Sequence, residues 1–516
     1  MQKRPYLLLS CLVIGLGLAD EFAFFDACAS GDAVALVELA PRVDLNYADE
    51  NGDTPLLLAV KGNHSQAVEV LLGLGADVEL AAEYPADVDT PLTAAARYGL
   101  SHMAALLVAR GAAIDGQGRD GRTALMAAAA HGHRSTVTML REKGAQVDAM
   151  KKDGTSALCW AARAGRASLV LDLIQAGAKV DRADFVDRSQ PIHFACQEAN
   201  ENTKATLQHL LTFGADANAR TGILPPLEAN GKPKENPERD ELEGGMTPLM
   251  VAAYAGNIVA VELLLGSIGT STVQGVPAVD LRDVRGQTAI VYAAMSGNDK
   301  VIDVLVARGA DPDLPSADGR AALHHAAFAG HLAAVKALIA GGATVDQPAA
   351  LSNGAGSGHS ALLLASHEGH LKVIRCLLKN GAAPNAASKD GATPLIAAAA
   401  GSKVKAVRAL LKAGADPARR LASGETAAML TSDREISSLL YHAQAKVLAD
   451  EQQANMNQGD QGEHDEEEEL DVAEEDEEDE EEGEGSDDPV PGSIRDHGGA
   501  SQGRVEDVEL ERVDGP

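Results

Sequence analysis

The chain has 516 residues, a formal net charge of −32, 45% hydrophobic residues and only 3% aromatic ones. That length exceeds one ordinary core, and the shortage of rings excludes a core built on large aromatic side chains. The charge is concentrated, with 28 Asp/Glu against 3 Arg in residues 450–516, and no basic footprint is left for nucleic acid.

The N-terminus reads first as an address. Lys3 and Arg4 precede an apolar run from Tyr6 to Leu18, too short for a membrane span of roughly 20 residues. It matches the apolar region of a secretory leader, and Gly17-Leu18-Ala19 offers small residues where a signal peptidase reads. Residues 1–19 are therefore expected to be a signal peptide, with the protein in the secretory pathway or outside the cell. A hydrophobic N-terminal cap is the competing reading. Unpaired cysteines and an acidic tail favour cytoplasm or nucleus as the alternative location. Asn63-His64-Ser65 is a glycosylation acceptor, relevant only on the secretory route.

From residue 20 the chain repeats itself. Thr-Pro-Leu recurs at Thr54, Thr90, Thr247 and Thr393, with weaker starts at Thr123, Ser156, Gln190, Thr288, Ala321, Ser360 and Thr426. Five intervals between successive starts are 33 residues, and that from 156 to 190 is 34. Thr caps a helix through its hydroxyl, and Pro suits the first helical position, which needs no donor. Leu and Ala at three- and four-residue spacing then predict a slim first helix. A Gly turn follows, then a more apolar second helix, as in Val68, Val70, Leu71 and Leu72. Gly75-Ala76-Asp77, Gly309-Ala310-Asp311 and Gly414-Ala415-Asp416 end that second helix.

This pattern resembles the ankyrin repeat family over roughly residues 20 to 445. The resemblance implies an all-α helical repeat solenoid with short β-hairpin fingers, here about twelve units over 20–449. Asp20 to Asn46 is expected to be a divergent first cap. The last unit, from Thr426, is about four residues short between its helices. Insertions at 219–244, 266–278 and 347–358 break the period, the first and third falling on fingers. Residues 450–516 are expected to be a disordered acidic tail, since so little apolar surface cannot offset the entropy of ordering.

Candidate chemistry is thin. His64, His133, His331 and His370 fall in the turn after the first helix, and His193 and His324 lie just after its core Leu or Ile. Those positions suit structural roles. His131 with His133, and His367 with His370, lack a third ligand. Cys11, Cys28, Cys159, Cys196 and Cys376 have no zinc spacing and no disulfide framework. Ser189 and Cys196 lack a paired base. Gly354-Ala355-Gly356-Ser357-Gly358 lacks the strand and Lys of a phosphate loop. No catalytic, cofactor or metal residues are assigned, and no enzymatic activity is expected.

The fingers carry Arg119, Arg122, Lys151, Lys152, Arg182, Arg188 and Arg220, then Arg282, Arg285 and Arg320, mixed with acids such as Asp120, Asp153, Asp184 and Asp187. Of these cations, Arg119, Lys151, Lys152, Arg182, Arg188, Arg282 and Arg285 are the candidate partner-binding residues. The expected function is a monomeric scaffold or adaptor that holds other proteins on its concave face and fingers. The alternative gives the tail the leading role, as a binder of basic, histone-like proteins or a weak cation buffer. A tail that masks the basic fingers is a further expectation.

Overall fold

The computed structural model describes residues 17–49, 51–81, 89–224, 243–269, 271–273, 275–349 and 357–459. The chain divides into two units, residues 1–452 and 453–516. The described residues hold twelve helix pairs, numbered here as units 1 to 12. First helices stack on neighbouring first helices, and second helices on second helices, so the array is an all-α solenoid two helices deep.

Local chemistry explains each start. Thr54, Thr90, Thr123, Thr247 and Thr393 have extended backbone, and each hydroxyl accepts from the amide three residues on at 3.2–3.4 Å. Such a cap stabilises a helix by about 1 kcal/mol. Units 6 and 9 start at Gln190 and Ala321, without a hydroxyl. There the imidazole three residues on reaches back: His193 Nδ1 accepts from the Gln190 amide at 3.1 Å and His324 Nδ1 from the Ala321 amide at 3.2 Å. This is the returning half of a capping box, made by histidine. The two core histidines thus secure the amide of the first residue at helix starts that lack a hydroxyl.

Small side chains let the first layer close up. In the first helix of unit 4, Ala124–His131, Ala127, Ala128 and Ala129 are buried. Second helices bury larger groups at helical spacing, as Leu169, Val170 and Leu173 or Val373, Ile374 and Leu377. Each fully buried Leu or Ile contributes about 1.5–3 kcal/mol.

Units are also stitched by polar bonds. The ring Nε2–H of His64, His133, His331 and His370 donates to a carbonyl of the preceding unit: Ala29, Arg97, Met295 and Phe328, at 2.7–3.2 Å. Asn257 and Asn298 do the same with their amides. At five fingers a main-chain bond joins the tip to the one before: Phe185 to Asp153 O, Gly222 to Asp187 O, Ala317 to Arg285 O, Lys389 to Ser357 O and Ala422 to Asp390 O. Asp115, Asp148 and Asp313 carboxylates each accept an amide of the next finger. Every bond couples nearest neighbours only, as a one-dimensional array requires.

Several expectations are refined. Most fingers are turns closed by at most one isolated bridge, such as Gln117 with Thr123 or Met150 with Ser156. Paired strands occur, among the described residues, only in two insertions. Ile223–Leu224 pairs antiparallel with Glu243–Gly244 at the base of the first, and Thr272–Val273 with Val276–Pro277 in the second. The insertion expected from 266 starts later, because the helix Ile258–Ile268 continues through its first residues. The third closes with Ala349 and His359 sharing a main-chain bond. In unit 12 the shortfall falls on the first helix, Ala427–Leu430, and not on the turn between helices. The last helix, Arg434–Gly459, passes the boundary drawn at 449. Its run of Ala, Lys, Leu, Glu and Gln favours helix until Gly459. The acidic runs beyond 459, the leader residues 1–16 and the middle of the first insertion, 225–242, lie outside the described residues.

Candidate partner-binding face

The fourth and seventh residues after each cap share one face of the first helix, three positions apart. In a chain this poor in rings, five consecutive units put one aromatic there. Trp160 lies in unit 5 (Ala157–Arg163), Phe194 in unit 6 (Pro191–Gln197) and Tyr254 in unit 7 (Pro248–Tyr254). Tyr292 lies in unit 8 (Ala289–Ser296) and Phe328 in unit 9 (Ala322–Ala329). Units 3, 4 and 11 have Ala94, Ala127 and Ala397 at the fourth position.

These rings are held, not loose. Tyr254 is 53% exposed and meets Tyr292 edge-on, with centroids 6.1 Å apart. The Tyr292 hydroxyl donates to Asp283 Oδ2 at 2.7 Å, and the Gln287 amide donates to Oδ1. Burial pushes the Asp283 carboxyl above the usual range, and these bonds pull partly against it. Trp160, half-buried, carries the Arg122 guanidinium 4.0 Å above its ring centre and Lys151 Nζ at 5.9 Å. Arg320 lies over Phe328 at 6.0 Å.

The candidate cations divide by role. Arg119, Lys152, Arg188, Arg220 and Arg282 are exposed, whereas Lys151, Arg182 and Arg285 are half-buried. Arg122 and Lys151 pair with Asp120 and Asp153 at 3.0 and 3.1 Å. Arg182 binds the Asp148 carboxylate at 3.3 Å and its carbonyl at 3.2 Å. Arg220 braces Gly245 O and Arg282 O, and Arg282 braces Pro315 O. Arg285 gives its carbonyl to the Ala317 amide. Arg182, Arg220 and Arg282 are therefore cross-braces between fingers. Arg119, Lys152 and Arg188 are exposed on successive fingers, the Arg188 stem lying against Gly222, and the sequence alone does not separate them from the braces.

Sequence reasoning missed Phe185 and Val186, which are 64% and 53% exposed on the finger between units 5 and 6. The signal was a pair of apolar residues in a finger whose predecessor carries Lys151 and Lys152. Beside them Asp184 is buried and close to Asp187, which pushes its carboxyl up to about 7.

The remaining candidates are structural. His131 and His133 stack at 6.2 Å, each bound to a main-chain carbonyl. Burial pushes the His193 ring down, and the His324 and His325 rings to about 4, so all three are neutral at pH 7. Cys28, Cys159 and Cys196 are buried free thiols, and burial pushes Cys28 up to about 12. Cys376 is half-buried, and Cys11 lies outside the described residues. Asn63 is exposed, with φ +57°, in its helix–helix turn. Among the described residues no group of three or more His, Cys, Asp or Glu is placed to hold a metal ion, and no helix is long and apolar enough to cross a membrane.

Paired helices stacked in register define a helical repeat protein. The family model for ankyrin repeats in three copies matches residues 78–151, 102–184, 158–315, 273–349 and 345–421, and the single ankyrin repeat model matches 51–82. The matches run unbroken over more than half of the chain, which belongs to the ankyrin repeat family. Over 98 residues it is 38% identical to the human ankyrin repeat and KH domain-containing protein 1. That segment is 19% of this chain and 4% of the human protein.

Proposed function

We propose that the protein is a non-enzymatic scaffold that holds partner proteins on its first-helix face and fingers. Ankyrin repeats are general protein–protein interaction modules. One observation carries the reading for this chain: the aromatic row from Trp160 to Phe328, one ring per unit over five consecutive units. Trp160 with Arg122 over its ring and exposed Tyr254 are of the residue types that dominate binding energy at protein interfaces, and buried Tyr292 meets Tyr254 edge-on. Tyr and Trp also lose little side-chain entropy on binding.

The test compares proteins co-purifying from cells with the full chain and with the Phe194→Ala/Tyr254→Ala variant. Tyr254 is 53% exposed and Phe194 half-buried, so circular dichroism first checks that the variant folds. Loss of a defined set of partners supports the reading. An identical set with the variant contradicts it.

A further inference from the structure

Among the described finger tips, that between units 5 and 6 stands out as apolar. Its tip presents exposed Phe185 and Val186, where the equivalent tips present Lys152, Ala317, Lys389 or Ala422. Large apolar side chains at the tip of an exposed turn cost solvation unless something covers them.

This tip is built rigidly. The Phe185 amide donates to Asp153 O at 2.6 Å, and the Gly222 amide to Asp187 O at 2.5 Å. The amides of Asp187 and Ser189 donate to Asp184 Oδ1 at 3.2 and 3.0 Å. Arg188 sits in the left-handed region, φ +56°, where a non-glycine residue is strained. The Phe185 backbone and ring lie directly against Gly154 of the preceding finger, so closely that a Cβ there would fall 2.5 Å from the Phe185 nitrogen. Phe185 is therefore held in place against the preceding finger, with Val186 exposed beside it.

Charge around the tip is asymmetric. Exposed Arg119, Lys152 and Arg188 flank it along three consecutive fingers. Of the acids on these fingers, Asp120 pairs with Arg122, Asp153 with Lys151 and Thr155, Asp184 and Asp187 accept main-chain amides, and Asp181 alone is exposed. The raised carboxyl of Asp184 weakens its negative charge near neutral pH as well.

From this geometry we infer that the fingers of units 4 to 6 dock an acidic peptide segment carrying an apolar anchor residue. Phe185 and Val186 cover the anchor, and Arg119, Lys152 and Arg188 take the flanking carboxylates. Such charge complementarity sets partner choice and association rate more than raw affinity. The inference rests on the interaction reading above and narrows it to one surface and one partner chemistry.

The test pans a random twelve-residue peptide display library on the full-length protein. Enriched sequences are then synthesised with a fluorescent label and titrated against wild type, Phe185→Ala/Val186→Ala and Lys152→Glu. Trp160, the chain's one tryptophan, reports contact from within the same face. Expected are peptides with Asp or Glu around a Phe, Leu or Trp, at least tenfold weaker binding to the double variant, and severalfold weaker binding to Lys152→Glu with a flatter salt dependence. Lys152 is exposed, so its variant answers the question even should the double variant unfold. Basic or anchor-free peptides, undiminished binding to folded variants, or no enrichment at all would overturn the inference. The co-purification test decides the broader reading independently, because it probes units 6 and 7 through Phe194 and Tyr254.

Discussion

His324 makes the array sensitive to acid at a known place. Both ring nitrogens are committed: Nδ1 accepts from the Ala321 amide, and Nε2–H donates to Gln347 O at 2.9 Å and His359 O at 3.2 Å. Protonating Nδ1 would set two donors against each other in a buried site. Burial accordingly pushes the ring down to about 4. The unfolded chain binds the proton near pH 6.5, so above that value neither state is charged and nothing is lost. Below it the unfolded state gains a proton that the folded state refuses, and stability falls by about 1.4 kcal/mol per pH unit until about pH 4. From pH 7.5 to 5.0 the loss from this residue is about 2 kcal/mol. Asp184 works the other way, since its raised carboxyl is relieved by acid, so the wild-type slope alone decides nothing. The comparison is His324→Gln, in which glutamine can still return to the cap but does not titrate. Urea unfolding followed by circular dichroism, with amide hydrogen exchange over residues 316–349, is measured at both pH values. The variant should be less stable at pH 7.5, yet lose about 2 kcal/mol less than wild type on acidification. An equal loss in both proteins would refute the assignment of a buried neutral ring.

Three further outcomes follow from the same geometry. Arg122→Ala should shift Trp160 emission to the red and cost about 0.5–1 kcal/mol, the range for a half-exposed cation–ring pair, and an unchanged spectrum would contradict that contact. Gly154→Ala meets both a left-handed φ of +88° and the Phe185 nitrogen, so urea unfolding should show a loss of about 1–3 kcal/mol, with faster exchange at the Phe185 amide. A leader cleaved after Ala19 gives a native N-terminus at Asp20 on mass spectrometry and leaves most of the first helix, Gly17–Ser30, whereas a chain starting at Met1 or Gln2 removes the secretory reading.

Much of the architecture was legible because each unit repeats the same local chemistry. Thr54-Pro55-Leu56 and Thr393-Pro394-Leu395 announce a cap, a donor-free first position and a core contact in three residues. The capping role of His193 and His324 was hidden, because it depends on Gln190 and Ala321 lacking a hydroxyl three residues earlier. Basic fingers were legible as composition, but not the division of labour within them. Arg220 and Arg282 brace carbonyls 25 to 62 residues away in sequence, a separation that no local pattern encodes. The aromatic row was legible in principle, as rings at two fixed positions after each cap. It emerges only once units are laid in register and their outer faces compared.

Site-specific photocrosslinking tests the central claim most directly. A photoreactive phenylalanine analogue is placed at Tyr254, on the aromatic row, and separately at Lys336, exposed on the second helix Leu332–Ala340. After irradiation in cells, position 254 should give discrete protein adducts that position 336 does not. Adducts at both positions alike, or at 336 alone, would contradict a scaffold that works through its first-helix face.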